Sequence, residues 1–278
     1  MDERSVSGDS GKGLKPNFIG IGAQRAASTW LNQCLRQHPE VCLPRKEIRF
    51  FNYGYEEGLD SYFRNFEGCE GCKIVGEITP DYYHSSLALD RMARDLPGIK
   101  LMYVVRNPID RAYSQYKLYL DQGAIKSPSF ESALEHHPEL IEWSMQGSAL
   151  RNVFERFDEK DVLVVLYDEI LNAPSEVLLR IYNFLDIGCE FVPDVLKKRV
   201  NRVVLPRTQR VLKRVGMGAL IGWVKKFPRL SEWIKDSFYS GAGASLKDET
   251  RQLLNAKFRD DVELLENLGG FDLRHWKV

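Results

Sequence analysis

The feature that most narrows the choice of fold is a recurrence of short, almost wholly apolar runs separated by stretches of helical spacing. Lys100-Leu-Met-Tyr-Val-Val105 and Asp161-Val-Leu-Val-Val-Leu-Tyr167 have strand length and no alternation of apolar with polar residues. Strands that are apolar on both faces need cover on both faces, which a parallel sheet between two layers of helices provides. Asn17-Phe-Ile-Gly-Ile-Gly22 and Lys73-Ile-Val-Gly-Glu77 fit the same scheme. Between and after them, helical spacing runs from Ser28 to about Gln37, Ser86 to Asp95, Pro108 to about Leu120, Glu139 to Phe157 and Pro174 to Leu185. A last helix is expected from Lys247 to Leu268, stopped by Gly269-Gly270. The pattern predicts an α/β fold with a central parallel sheet flanked by helices. Residues 1–16 read as a disordered tail, 17–278 as one domain, and 197–240 as a basic helical cap.

Charge sharpens that division. The 278 residues hold 39 Lys+Arg and 39 Asp+Glu, so the formal net charge is zero and a broadly basic nucleic-acid binder is excluded. Yet Lys197 to Lys235 contains twelve Lys/Arg, with Glu232 as its single acid. Arg202, Arg207 and Arg210 within it are candidates for a lid over a bound cofactor or a groove for an anionic acceptor, and Val211, Leu220, Ile221 and Trp223 leave peripheral membrane contact open. No apolar run approaches the roughly 18 residues of a transmembrane helix. Cys34, Cys42, Cys69, Cys72 and Cys189 form an odd, sparse set, which favours a reducing compartment and a cytoplasmic protein. Cys69-Glu-Gly-Cys72 lacks a second pair or a close histidine to complete a metal site. His38, before Pro39, reads as a helix cap, and His136-His137 as incidental surface residues in a loop.

Two segments suit an anion. Gly22-Ala-Gln-Arg-Ala-Ala-Ser-Thr29 joins a strand to a helix, so backbone N–H groups and the helix N-terminus can converge with Arg25, Ser28 and Thr29. Ala27 and Ser28 stand where a nucleotide-triphosphatase loop needs Gly and Lys, and Arg25 stands at the third glycine of a dinucleotide turn. On the residues alone, an anion site and an ordinary capped helix both remain open. Arg106 follows a buried strand directly, at the carboxyl edge where open α/β sheets place ligands, and Ser114 lies two helical turns beyond it.

In order and spacing, these two segments resemble the signatures of sulfotransferases that use 3'-phosphoadenosine 5'-phosphosulfate (PAPS). The resemblance implies a P-loop-like nucleotide-binding fold in which Arg25, Ala26, Ala27, Ser28, Thr29 and Trp30 meet the 5'-phosphosulfate. Arg106 and Ser114 would meet the 3'-phosphate; separately, the clustered charge of the basic region makes Arg202 and Arg207 candidates for covering the nucleotide. Arg25 replaces the usual lysine and so acts electrostatically. Lys46-Glu-Ile-Arg-Phe-Phe-Asn52 is similar to the K-E-x-H-F-F-D stretch of the glycan-modifying branch, heparan sulfate sulfotransferases among them. That match makes Glu47 the general base and places Arg49 and Asn52 near the acceptor; desolvation beside Phe50-Phe51 would suit Glu47 to taking a proton. Gly76-Glu-Ile-Thr-Pro-Asp-Tyr-Tyr83 resembles the branch's E-K-[ST]-P-x-Y-F segment, which implies acceptor-cleft roles for Glu77, Thr79, Tyr82 and Tyr83. Ile78 replaces the branch's lysine, so a heparan-like acceptor is not assumed.

Tyr167-Asp-Glu-Ile, Pro174 and Phe184-Leu185 complete a likeness running from Phe18 to Leu185, with an echo in Phe271-Asp-Leu-Arg-His-Trp276. The expected reaction is sulfuryl transfer to an alcohol on a carbohydrate, lipid headgroup or small metabolite, releasing adenosine 3',5'-bisphosphate (PAP) and needing no metal. The alternatives are a phosphoryl-transferring nucleotide kinase and a non-catalytic nucleotide or anionic-glycan binding protein. Oligomeric state is not indicated.

Overall fold

A computed structural model describes residues 14–127, 129–196 and 246–277. The strands are β1 (Phe18–Gly22), β2 (Val41–Cys42), β3 (Ile74–Ile78), β4 (Lys100–Val105) and β5 (Val162–Leu166). They form one sheet in the order β2-β3-β1-β4-β5, and every neighbouring pair is parallel. Continuous burial of β1, β3 and nearly all of β4 explains their unbroken apolar runs. Because β1 lies between β3 and β4, the chain leaves the centre of the sheet in opposite directions after these strands. The loops at their carboxyl ends therefore border one crevice.

The helices are α1 (Ser28–Arg36), α2 (Leu59–Arg64), α3 (Ser86–Asp95), α4 (Pro108–Asp121), α5 (Phe130–His136), α6 (Glu139–Glu142), α7 (Gln146–Phe154), α8 (Tyr167–Asn172), α9 (Pro174–Leu185) and α10 (Asp248–Gly269). Pro108 and Pro174 open α4 and α9 as the sequence suggests, and Gly270 closes α10 with φ 65°. The single helix expected from Glu139 to Phe157 is two. The Leu140 carbonyl, which a continuing helix would offer to the Ser144 amide, accepts from Ser144 Oγ at 2.7 Å and Arg111 Nη2 at 3.3 Å. The Ser144 amide turns to Ile141 instead. The short edge strand β2 and the helical setting of His136 also differ from the expectation.

Cys42 and Cys69 are joined in a disulfide, contrary to the reading of all five cysteines as unstapled. They come together because β2 runs beside the turn after α2, a relation that their spacing does not reveal. Free thiols remain at Cys34, Cys72 and Cys189. His38 is a buried cap, accepting from the Glu40 amide and bonded to the Gly188 carbonyl at 2.8 Å. No described helix is long and apolar enough to cross a membrane. The basic stretch with Arg202, Arg207 and Arg210, and the first thirteen residues, lie outside the described residues.

Candidate active site

The loop after β1 starts under tight constraint. A Cβ on Gly22 would come within 2.5 Å of the Tyr83 ring, so only glycine lets the chain turn there. The Ala23 amide then bonds the Val104 carbonyl at 2.7 Å, fixing the loop to β4. Among described non-glycine residues, positive φ occurs at Arg25, Ala27, Glu47, Arg49 and Asp186. Two of those five lie in the loop of residues 22–29 and two in the segment of residues 46–52, and such conformations persist where surrounding contacts over-determine them.

The loop of residues 22–29 meets the segment of residues 106–114 directly. Arg25 Nε donates to Ser114 Oγ at 2.9 Å, and Arg106 Nη1 donates to the Arg25 carbonyl at 2.7 Å. Arg106 also lies over the Tyr167 ring, 4.5 Å from its centroid. Behind them Arg111 is fully buried, with Nε on Ser144 Oγ at 2.7 Å. Among the described residues none of these three arginines is ion-paired, and Arg106 Nε and Arg111 Nη1 are buried without a partner. Burial, followed by the charges of Arg106 and Arg111, pushes Arg25 below its ordinary value. A cluster of desolvated cations with unused donors is stabilised by a multivalent anion. The donor set therefore fits a nucleotide phosphate, with Ser28 and Thr29 partly exposed at the start of α1. Trp30, at 3% exposure, lies on the core face of α1, and Ala26 is buried with it.

Glu47 stands on a loop carried by the end of β3. Its amide bonds the Ile78 carbonyl at 3.0 Å, and the Ile48 amide donates to Glu77 Oε2 at 3.1 Å. Glu77 also accepts from Tyr62 Oη at 3.0 Å, Tyr82 Oη at 3.1 Å and the Thr79 hydroxyl. Burial raises the Glu77 carboxyl, opposed by those hydrogen bonds. Glu77, Thr79, Tyr82 and Tyr83 are at most 1% exposed, which corrects their expected place in the acceptor cleft. The first three form the platform beneath the Glu47 loop; Tyr83 backs Gly22 and donates to the Trp143 carbonyl at 2.5 Å. Glu77 is thereby committed to this network and does not orient Arg25.

The surroundings of Glu47 are polar. Its carboxylate lies 3.4 Å from Lys46 Nζ and 3.1 Å from Arg49 Nη2, with a third of the side chain exposed. The desolvation expected from Phe50-Phe51 does not arise, because both rings are buried against Tyr62. Arg49 reaches Asp81 at 3.4 Å, and Asn52 donates to the same carboxylate at 3.4 Å. Asp81 was not foreseen; burial raises its carboxyl, with Arg49 opposing.

Lys46 was missed as well. Its Nζ donates to Thr29 Oγ1 at 3.0 Å, bridging the anion loop and Glu47. The only available signal was its place directly before Glu47. A cavity of about 410 Å³ opens along the same loop, lined by residues that include Arg45, Ile48, Phe50 and Arg64. Neither Glu47 nor any residue of the 22–29 loop lines it, so it is separate from the point where Lys46 links that loop to Glu47.

Comparison with known proteins adds a family. The profile of the sulfotransferase domain matches residues 15–217. A membrane-associated sulfotransferase, kil1, of Dictyostelium discoideum is 35% identical over 141 residues, covering 48% of this chain and 30% of that protein. The human heparan sulfate glucosamine 3-O-sulfotransferase 3B1 is 28% identical over 189 residues, covering 64% and 48%. The chain thus matches half or less of each of these relatives. A solved sulfotransferase from Alicyclobacillus acidocaldarius shares the fold with TM-score 0.70 at 23% identity, covering 95% of this chain and all of that one.

Proposed function

This chain belongs to the sulfotransferase domain family, and from that membership and the geometry of its sheet edge we propose that it moves the sulfuryl group of PAPS to an alcohol. The observation that carries the reading is the convergence of Arg25, Arg106 and Ser114, with unused buried donors, beside a loop that presents a carboxylate. Arg106 and Ser114 hold the 3'-phosphate. Ser28, Thr29 and the amides of the preceding loop hold the 5'-phosphosulfate. Arg202 and Arg207 of the basic stretch are the further cations we assign to the nucleotide.

Bound PAPS supplies an activated sulfuryl group, and the chain's own residues supply alignment and charge. Glu47 accepts the acceptor's hydroxyl proton while that oxygen forms the new S–O bond. The electron pair of the broken S–O bond leaves on the 5'-phosphate oxygen, where Lys46, Arg25 and the loop amides meet the developing charge. Arg49, held by Asp81, and Asn52 orient the acceptor, whose class is an alcohol of a carbohydrate, lipid headgroup or small metabolite.

The experiment is transfer of radiolabelled sulfuryl from PAPS to an acceptor panel, with ATP as the competing donor. Sulfuryl transfer supports the reading, whereas phosphoryl transfer from ATP would replace it with a kinase. Glu47→Gln is expected to lower kcat by about 100-fold or more while calorimetric PAP affinity stays within about two-fold. Normal turnover in that variant would remove Glu47 from the role.

A further inference from the structure

Arg106 is the first residue beyond β4, and the β4–β5 pairing ends one position earlier, at Val105 opposite Leu166. Its backbone therefore leaves the sheet at the point where its side chain must be aimed. Gln146 takes over there. The Gln146 Oε1 accepts from the Arg106 amide at 2.9 Å, and its Nε2 donates to the Arg106 carbonyl at 2.5 Å. One side-chain amide thus meets both backbone groups of one residue, as a neighbouring strand would.

Gln146 is itself fixed. It is 1% exposed and is the first residue of α7, whose next two amides, from Gly147 and Ser148, donate to the Asp261 carboxylate of α10 at 2.8 Å each. A Cβ on Gly147 would lie 2.1 Å from the Asp261 carbonyl, so α7 and α10 meet at backbone distance. A hydrogen-bonded path therefore runs from α10 through the start of α7 to the backbone of the nucleotide-site arginine.

We infer that Gln146 is a positioning residue for the sulfuryl-transfer site: its amide sets the direction in which Arg106 leaves the sheet and hence its grip on the 3'-phosphate. This rests on the reading of Arg106 as a nucleotide ligand. Gln146 touches neither substrate and acts through Arg106 alone. Removing the amide leaves β4 paired but frees the residue beyond it, so nucleotide affinity changes more than the acceptor's KM.

The test is calorimetric PAP binding by the full chain, comparing wild type with Gln146→Glu and Gln146→Met at about pH 7.5 and about pH 5.5, alongside thermal melts. In Gln146→Glu, an ionised carboxylate keeps an acceptor for the Arg106 amide but offers no donor to the carbonyl; a protonated carboxyl offers both. Charged groups around the position are Asp261 from α10, Arg106 at the end of β4 and Arg111 from α4. Asp261 favours the protonated form of the introduced carboxyl and the arginines the ionised form. Each variant is referred to wild type at the same pH, because phosphate esters titrate near 6.

Both variants are expected to bind PAP about ten-fold more weakly at the higher pH. At the lower pH Gln146→Glu should recover to within about three-fold of wild type, while Gln146→Met does not. If Gln146→Glu does not fold at the higher pH, Gln146→Met carries that comparison. Wild-type affinity in Gln146→Met, or no recovery in folded Gln146→Glu at the lower pH, overturns the inference alone. Absence of PAP binding by wild type overturns the nucleotide reading and the inference with it.

Discussion

Single side chains divide the work at this site differently from their order in the sequence. Arg25 occupies the place of the family lysine, yet its guanidinium is turned to Ser114 and the Arg106 side of the crevice. The cation at Thr29 comes instead from Lys46, on another loop. Lys46→Met is expected to lower kcat by about ten-fold with a smaller loss of PAP affinity, and steady-state kinetics beside calorimetry would show it. A loss of PAP affinity with kcat unchanged at saturating PAPS would make Lys46 a binding group only. His84 offers a separate test. Burial, followed by Arg111, lowers it from 6.5 to about 4, so between those values the unfolded chain takes up a proton that the folded chain does not. Stability is therefore lost as pH falls through that window. Glu77 and Asp81, raised by burial, work in the opposite sense, losing stability as pH climbs above the ordinary carboxylate range. His84→Phe, which keeps an aromatic ring against Trp143, should flatten the acid limb by up to about 3 kcal/mol, measured by urea unfolding from about pH 7 to about pH 4.5. The positions of Arg106, Ser114 and Glu47 beside the loop of residues 22–29 could be read from sequence because strand ends and motif spacing locate them. Glu77 misled the reading, since a carboxylate at a strand end looks like a ligand group until Tyr62, Tyr82, Thr79 and the Ile48 amide are seen around it.

At the level of elements, what could be read was what local chemistry decides. Proline at the starts of α4 and α9 and glycine after α10 set boundaries within the chain's own neighbourhood. The break between α6 and α7 depends on a buried arginine from α4, and β2 depends on β3, so neither has a local signature. Gly147→Ala is expected to destabilise the fold by about 2–4 kcal/mol, because its Cβ would strike the α10 backbone. Ser148→Ala, whose amide bond to Asp261 survives, should cost less than about 1 kcal/mol in the same denaturant titration. The Cys42–Cys69 bond closes a loop with sequence separation 27 that contains the Glu47 segment and α2. Cys42→Ser should lower stability by about 3 kcal/mol, and wild type should approach the variant in reductant. With two cysteines joined, the sparse and odd set no longer argues for a reducing compartment.

Across the whole molecule, the zero net charge hides two opposed regions. Of the 39 basic and 39 acidic residues, twelve and one fall between Lys197 and Lys235, leaving 27 against 38 elsewhere. The remainder of the chain is thus acidic, and its arginine cluster attracts anions over a short range against a repulsive background. Arg202→Gln with Arg207→Gln is expected to raise the KM for PAPS and reduce its salt dependence without changing the melting temperature by more than about 2 °C. An unchanged KM would confine nucleotide binding to the described body. That body is also continuous on both sides of the basic stretch: α9 precedes it, and α10 follows it while capping α7 through Asp261. The chain on either side of residues 197–245 is thus anchored in the described residues, by α9 before it and α10 after it. Asp261 of α10 lies 114 residues beyond Gly147, so loss of that helix would be felt at the sheet edge beside Arg106 as well as in the core.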